Sequence, residues 1–255
     1  MHRLLAAVVL ALAAPALAVS PGAQLEYAVR YGPLQVLEVR TTAQLHEGDY
    51  EATSEMRTVG VVALLFPWVS TARAAGRRGA DGLRPQSFRN AGDYRGAQRM
   101  AEIEYSDSGE IASRIAPPPA ADDREAVPAA LQRATIDPLT ASLAIVHAGC
   151  RGTLRIFDGR RRYDLQLADM GEAAPPASPY TSYTGVARHC RATIAPIAGF
   201  WRSSAAQDER PSQLDFWVAA PQPGLMAVPV YLELSAPRGS LAIHLTAAQP
   251  LPAGS

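Results

Sequence analysis

The sequence predicts a mainly β protein, an antiparallel meander with one or two short helices. Three observations carry this reading. Short segments in which apolar and polar residues alternate recur along the chain, as in Leu25–Tyr31. Turn-forming dipeptides such as Gly32-Pro33 and Asp158-Gly159 separate them. The strands follow one another without intervening helices of the length a βαβ unit needs.

The chain opens on a segment of another kind. Met1-His2-Arg3 is a short basic start, Leu4 to Ala14 is apolar throughout, Pro15 breaks the run, and Ala16-Leu17-Ala18 fits a signal-peptidase site. Residues 1–18 are therefore expected to be an export signal cleaved near Ala18, and residues 19–255 a single domain in the periplasm. The apolar run falls short of the roughly 20 residues a membrane span needs. No later segment is long and apolar enough, so no transmembrane segment is expected after cleavage. No cysteine stands near the cleavage site to carry a lipid.

The elements follow in order. Leu25–Tyr31 places Leu25, Tyr27 and Val29 on one face and Glu26, Ala28 and Arg30 on the other. Leu34 to Leu45 and Tyr50 to Thr58 continue the meander around a turn at His46–Asp49. Val59 to Val69 is the most apolar stretch after the signal. Its period does not separate a buried strand bent at Pro67 from a short helix followed by a strand. Ser70 to Ala75 and Leu83 to Asn90 read as a hairpin with an Arg-Gly-rich connection from Gly76 to Gly82. Met100 to Ser106 and Glu110 to Ile115 form a second hairpin. Pro117-Pro118-Pro119 opens a surface connection, and Arg124 to Arg133 reads as a short helix broken at Pro128. Asp137-Pro138 is an N-cap followed by proline at the first helical position, which predicts a helix over Leu139 to His147 ending at Gly149. The remaining strands are Leu154–Phe157, Arg162–Leu167, Thr184–Ile194, Leu214–Val218, Val228–Leu234 and Ser240–Leu245, about twelve in all.

Composition removes several function classes. All 24 basic residues are Arg and 24 residues are acidic, so the formal net charge is zero. No dense basic stretch exists, which argues against nucleic acid as a partner. The absence of Lys removes the P-loop lysine, the Schiff-base lysine and the Ser-Lys dyad. Alanine numbers 48 of 255 residues, so the large apolar side chains are fewer than the 48% hydrophobic share suggests, yet sufficient for a core. The Arg and Ala bias reads as genome composition.

The chemistry-bearing residues are sparse. Cys150 and Cys190 are the only cysteines, and in an oxidising compartment they are expected to form a structural disulfide. The histidines are scattered, with no HxH, HxxxH or HExxH spacing, so no metal is expected. GxSxG and GxGxxG are absent, and no cofactor or catalytic residue is assigned. Glu102 and Glu104 share a strand face about 7 Å apart, a spacing that suits acid–base work on a glycan but more commonly marks a solvated sheet face. Arg77-Arg78 and Arg160-Arg161-Arg162 can hold a phosphate or lipid headgroup; the plain alternative is a solvated hairpin tip. The Val59–Val69 stretch reads as ordinary core, or else as an exposed apolar lip that touches lipid or a partner.

Several of these segments, in this order, resemble one family. They are LEYAVRYGPLQVLEV (Leu25 to Val39), the Gly60 segment, GLRPQSF (Gly82 to Phe88), IEYSDSGEI (Ile103 to Ile111), the Asp137–Ala141 helix start, DGRRRYDL (Asp158 to Leu165) and the Cys190 strand. The chain is similar to the exported bacterial domain-of-unknown-function 3108 family across nearly its whole length. It departs from the family near the end, where Phe216–Ala220 leads through Pro221 and Pro223 to Val228-Pro229-Val230 without the family's charged turn. The resemblance implies an open or incomplete antiparallel barrel and carries no catalytic residue.

Three functions fit. The first is a non-enzymatic binding or carrier module for an apolar, lipid-like ligand, with Val61, Leu64, Leu65, Phe66 and Trp68 as candidate apolar lining. The second is a structural or interaction protein of the cell envelope. The third is a glycan hydrolase. Lipid or an envelope protein is the partner these readings point to.

Overall fold

The computed structural model describes residues 20–122, 124–202 and 210–251. The expected export signal lies outside these residues, as do Asp123, Asp208 and Glu209. The first meander comprises β1 (Gly22–Tyr31), β2 (Leu34–Leu45), β3 (Asp49–Thr58), helix α1 (Gly60–Leu65), β4 (Trp68–Gly79), β5 (Gly82–Tyr94), β6 (Ala97–Tyr105) and β7 (Ile111–Ala116). A connection follows with a single 3-10 turn (Pro119–Asp122), α2 (Ala129–Gln132) and α3 (Pro138–Ala148). The second meander comprises β8 (Gly152–Phe157), β9 (Arg162–Ala173), β10 (Ala187–Ala198), β11 (Gln213–Ala219), β12 (Val228–Ala236) and β13 (Gly239–Leu251).

Among the described residues thirteen strands form one antiparallel sheet in the order β7-β6-β5-β4-β3-β2-β1-β13-β12-β11-β10-β9-β8. Every pairing is between sequence neighbours except β1 with β13, which joins the two meanders. The edges are β7 and β8, and they do not pair with each other. The open antiparallel barrel expected from the sequence and the family resemblance is therefore the observed architecture.

The concave face explains part of the alanine excess. Ala23, Ala43, Ala52 and Ala74 are cross-strand neighbours in one row, and the row continues into Phe88 and Ile103. All six are buried. Small side chains at the first four positions let α3 approach, and the helix packs on β3, β4 and β5 and reaches β8. Its Leu143 meets Ala43, Tyr50 and Ala52. Its Ile145 meets Cys190, Ala192 and Phe216 of the other meander. One helix thus fills the space between two sheet halves, where each buried aliphatic side chain contributes about 2 kcal/mol.

Asp137 starts this helix as the sequence indicates. Its Oδ1 accepts from the amides of Leu139 (3.0 Å) and Thr140 (2.9 Å), and Pro138 occupies the first turn. Its Oδ2 accepts from Thr140 Oγ1 at 2.5 Å. Thr140 has only one hydroxyl proton, so the Tyr50 hydroxyl, 2.6 Å away, donates to Thr140. A buried chain of hydrogen bonds therefore runs from β3 to the helix cap. Burial raises the Asp137 carboxyl above the ordinary carboxylate range, and the Thr140 and amide hydrogen bonds oppose that rise. The helix ends at Gly149, and the Cys150–Cys190 disulfide, with Cα atoms 5.7 Å apart, ties that end to β10.

Three expectations need correction. The Gly76–Gly82 segment is mostly strand, not connection: β4 runs to Gly79 and β5 starts at Gly82. Gly76 sits at a bulge where a Cβ would lie 2.3 Å from the Arg84 carbonyl and 2.7 Å from the Tyr50 ring, so glycine serves packing rather than a loop. Of the helix expected over Arg124–Arg133, only the turn of α2 forms, because Pro128 stands before it as N-cap and Arg124 pairs with Trp201 in an isolated bridge. The Val59–Val69 stretch is not core. It forms α1 and the start of β4, and no residue of α1 is buried. Helix α1 touches β2 and β3 yet leaves Val61, Leu64 and Leu65 exposed, and composition alone carries no information on cover.

Replacing Asp137 by Ala is expected to cost about 2–3 kcal/mol, the cap plus an unsatisfied Thr140 hydroxyl. Tyr50→Phe is expected to cost about 1 kcal/mol. Urea unfolding midpoints measure both, and an unchanged midpoint for Tyr50→Phe contradicts the hydrogen-bond chain.

Candidate functional site

The gap between the sheet edges is crossed by the turn that joins β8 to β9. Asp158 shapes this turn. Its Oδ1 accepts from the amides of Arg160 (2.9 Å) and Arg161 (2.6 Å), and its Oδ2 accepts from Arg161 Nε (2.7 Å). Gly159 has φ +89°, and a Cβ there would stand 2.6 Å from Ala101 Cβ on β6. Only glycine supplies that backbone and that close approach. Arg160 then reaches across the seam. Its guanidinium donates to the carbonyls of Met100 (3.3 Å), Ala116 (2.7 Å) and Pro117 (3.1 Å) on β6 and the end of β7. Arg162 is buried and donates to the Leu131 carbonyl (3.2 Å) and to Asp164 (2.6 Å). Arg160 is thus a fastening of the barrel seam and Arg162 is buried, while Arg161 is exposed and paired with Asp158. A turn's own sequence does not disclose which strand it meets.

The seam leaves one end of the concave face unfilled. A cleft of about 590 Å³ lies there between β4–β6, the Asp158–Arg161 turn and Trp201. Its floor carries Ser70, Asn90 and Gly92, with Ser70 Oγ donating to Asn90 Oδ1 at 2.7 Å. Trp68, Tyr94, Met100 and Trp201 supply apolar surface, and Arg99, Arg124, Arg160 and Arg161 supply positive charge beside Asp93 and Asp158. Arg124 is held in place: its Nη1 donates to the Gly199 carbonyl at 3.1 Å, and its guanidinium lies 3.8 Å from the Trp201 ring centroid. Aromatic faces and oriented guanidinium groups in one concavity suit a ligand with an apolar body and an acidic group.

A second groove of about 580 Å³ crosses β1–β4 on the opposite face of the sheet. Its walls bear the ion pairs Glu26–Arg40 (2.9 Å) and Glu38–Arg57 (2.5 Å), so those charges meet each other. The Glu102–Glu104 pair stands on that opposite face too, since Ala101, Ile103 and Tyr105 point inward, and Glu102 pairs with Arg89 at 3.0 Å.

The histidines His189 and His244 belong to a cross-strand aromatic ladder. His189 stacks on Trp217 (centroids 4.2 Å), Trp217 leans on Tyr231 (5.3 Å), and Tyr231 leans on His244 (5.1 Å). Tyr180 closes the row against His244 at 5.8 Å, and Arg30 lies 3.6 Å over the Tyr180 ring. These are directly paired residues on β10 to β13, so the ladder reinforces the second meander. Asp215 anchors it by accepting from His189 Nε2 (2.8 Å), Arg191 Nε (3.0 Å) and Gln213. Burial pushes the Asp215 carboxyl up, but these hydrogen bonds outweigh it and hold it below the ordinary range.

Of the apolar residues singled out from the sequence, only Trp68 lines the cleft. Val61, Leu64, Leu65 and Phe66 project from α1 as an exposed lip. Sequence reasoning missed Tyr94, Arg99, Met100, Arg124 and Trp201. The one usable signal was the Arg160–Arg162 group, flagged for anion binding.

Fold and cleft together define an open, barrel-like antiparallel protein with an arginine-lined concavity at one end. The chain belongs to the family described as "Protein of unknown function (DUF3108)", whose model matches residues 26–246. No curated protein matches it. Among solved structures it is similar to a β-barrel-like protein of domain of unknown function DUF1849 from Brucella abortus. That similarity has 10% identity and a TM-score of 0.48, covering 92% of this chain and all of the other.

Arg160→Ala is expected to cost about 2 kcal/mol in urea unfolding, with Arg160→Lys recovering under half of it, because a single ammonium cannot span three carbonyls on two strands. His244 gives a pH signature. Burial, then the nearby Arg30 charge, holds its imidazole below the ordinary value. The unfolded chain therefore takes up the proton first, and stability falls as pH drops below about 6.5. Thermal melts from about pH 7 to about pH 5 should show a smaller loss in His244→Gln than in the unsubstituted protein. An equal loss removes His244 as the cause.

Proposed function

We propose that this chain is a non-enzymatic binding or carrier module, exported to the periplasm, for a lipid-like ligand with an acidic group. The observation that carries the reading is the unfilled end of the half-barrel. There α3 and the seam turn stop short, and Trp68, Met100 and Trp201 face a concavity that also holds Arg99, Arg124 and Arg160. Its volume of about 590 Å³ falls within the range of small-molecule sites. A binding role is favoured over glycan hydrolysis because the carboxylate pair that suggested hydrolysis, Glu102 and Glu104, stands on the far side of the sheet. Asp93 and Asp158 in the cleft serve structure. Asp93 accepts from Gly96 N (2.7 Å) and Gln98 Nε2 (2.8 Å), and Asp158 shapes its own turn. A second reading, an interaction protein of the envelope, draws on the exposed α1 lip outside the cleft.

Native mass spectrometry of protein released from the periplasm without detergent, before and after incubation with a lipid extract, tests the proposal. The expected result is an adduct on a chain of residues 19–255. Trp68→Ala combined with Trp201→Ala should weaken that adduct at least about tenfold. A bare chain under both conditions overturns the carrier reading and favours the interaction protein. A mass that retains residues 1–18 overturns cleavage.

A further inference from the structure

Val61, Leu64, Leu65 and Phe66 lie outside the cleft lining, and their exposed apolar side chains cost free energy in water. Helix α1 has no buried residue; Leu64 is 83% exposed and Leu65 63%. Val61, Phe66, Val69 and Tyr94 are exposed at this end of the barrel too, Val69 toward the outer groove and Tyr94 toward the cleft. Single exposed apolar residues are ordinary; a contiguous set on one projecting turn marks a contact surface.

We infer that this end of the barrel docks on an anionic lipid bilayer, with α1 as the inserting element. Three features favour that occupant. The lip is a helix of six residues, about 9 Å long, with Val61, Leu64 and Leu65 exposed, the kind of apolar side chains that enter a headgroup layer. Such a short convex feature offers far less than the roughly 800 Å² a stable protein partner covers on each side. Positive charge flanks it. Arg95 lies over the Phe66 ring at 5.4 Å, Arg99 lines the adjoining cleft, and Arg238 meets Tyr31 at the neighbouring turn, where the Tyr31 hydroxyl donates to the Arg238 carbonyl. Asp93 is an acidic neighbour and is engaged by Gly96 and Gln98; Arg57 nearby is paired with Glu38.

Docking in this orientation would turn the mouth of the cleft toward the bilayer, because Tyr94, exposed at this end of the barrel, also lines the cleft. The inference rests on exposure and charge at α1 and stands whether or not the cleft holds a ligand.

Sedimentation with vesicles tests it: one set of phosphatidylcholine alone, one with about a third phosphatidylglycerol. The expected result is pelleting with the anionic vesicles, weakened by added salt. Leu64→Asp should reduce it at least about tenfold, the scale of burying one leucine, with an unchanged circular dichroism spectrum. Arg95→Gln should reduce it by a smaller factor. No pelleting at low salt, or equal pelleting of Leu64→Asp, overturns the inference. Equal binding to both vesicle types overturns its electrostatic part. A Leu64-dependent dimer in solution without vesicle binding assigns the lip to a second copy instead. Since the readout is pelleting, failure of the ligand reading leaves this result unaffected.

Discussion

Thirteen antiparallel strands that do not close leave two edges, and nothing in the ladder itself draws β7 and β8 together. The turn between β8 and β9 does so. Gly159 comes close enough to Ala101 that any larger residue would collide, and Arg160 donates to carbonyls on β6 and beyond β7. Unpaired edge carbonyls are a liability in a sheet, and a guanidinium satisfies several at once. Ile136 meets the other edge: its amide donates to the Arg155 carbonyl and its carbonyl accepts from Phe157, so β8 is covered for one residue.

This fastening determines what remains open. Helix α3 fills the middle of the concave face, since the alanine row beneath it leaves room for a helix and its Asp137 cap is locked to Tyr50 through Thr140. The Cys150–Cys190 bridge fixes the helix end to β10, and closing a loop of that length contributes roughly 4 kcal/mol in the chain-entropy account. Beyond the helix a cleft stays open, and arginines and tryptophans from five separate segments border the space. The second meander does not depend on this filling, because its aromatic ladder stiffens it from the other face.

Local signals were legible in the sequence, and long-range ones were not. Alternation at Leu25–Tyr31 and the Asp158-Gly159 turn located strands, and Asp137-Pro138 located the helix start to within a residue, because each depends on neighbours in the chain. The pairing of β1 with β13 depends on residues more than two hundred positions apart and has no local signature. The same holds for the candidate site. Trp68 was singled out because it belongs to a conspicuous apolar run, whereas Trp201, Arg124 and Arg99 are unremarkable until folding brings them beside it. The apolar run also misled: hydrophobicity reports a tendency to be covered, and among the described residues α1 has no buried side chain. The His189–Trp217–Tyr231–His244 ladder was hidden for a related reason, since each ring lay in an expected strand but the register between strands was unknown.

The central claim is that the β8–β9 turn, beside the helix that packs on both halves, fastens the seam in place of strand pairing. Hydrogen exchange on Gly159→Val tests it most directly, since valine fits neither the positive φ nor the approach to Ala101. Amides of β6 and β7 should lose protection together while those of β1, β12 and β13 keep theirs. Unchanged protection at β6 and β7, or a uniform loss across all thirteen strands, would contradict the account.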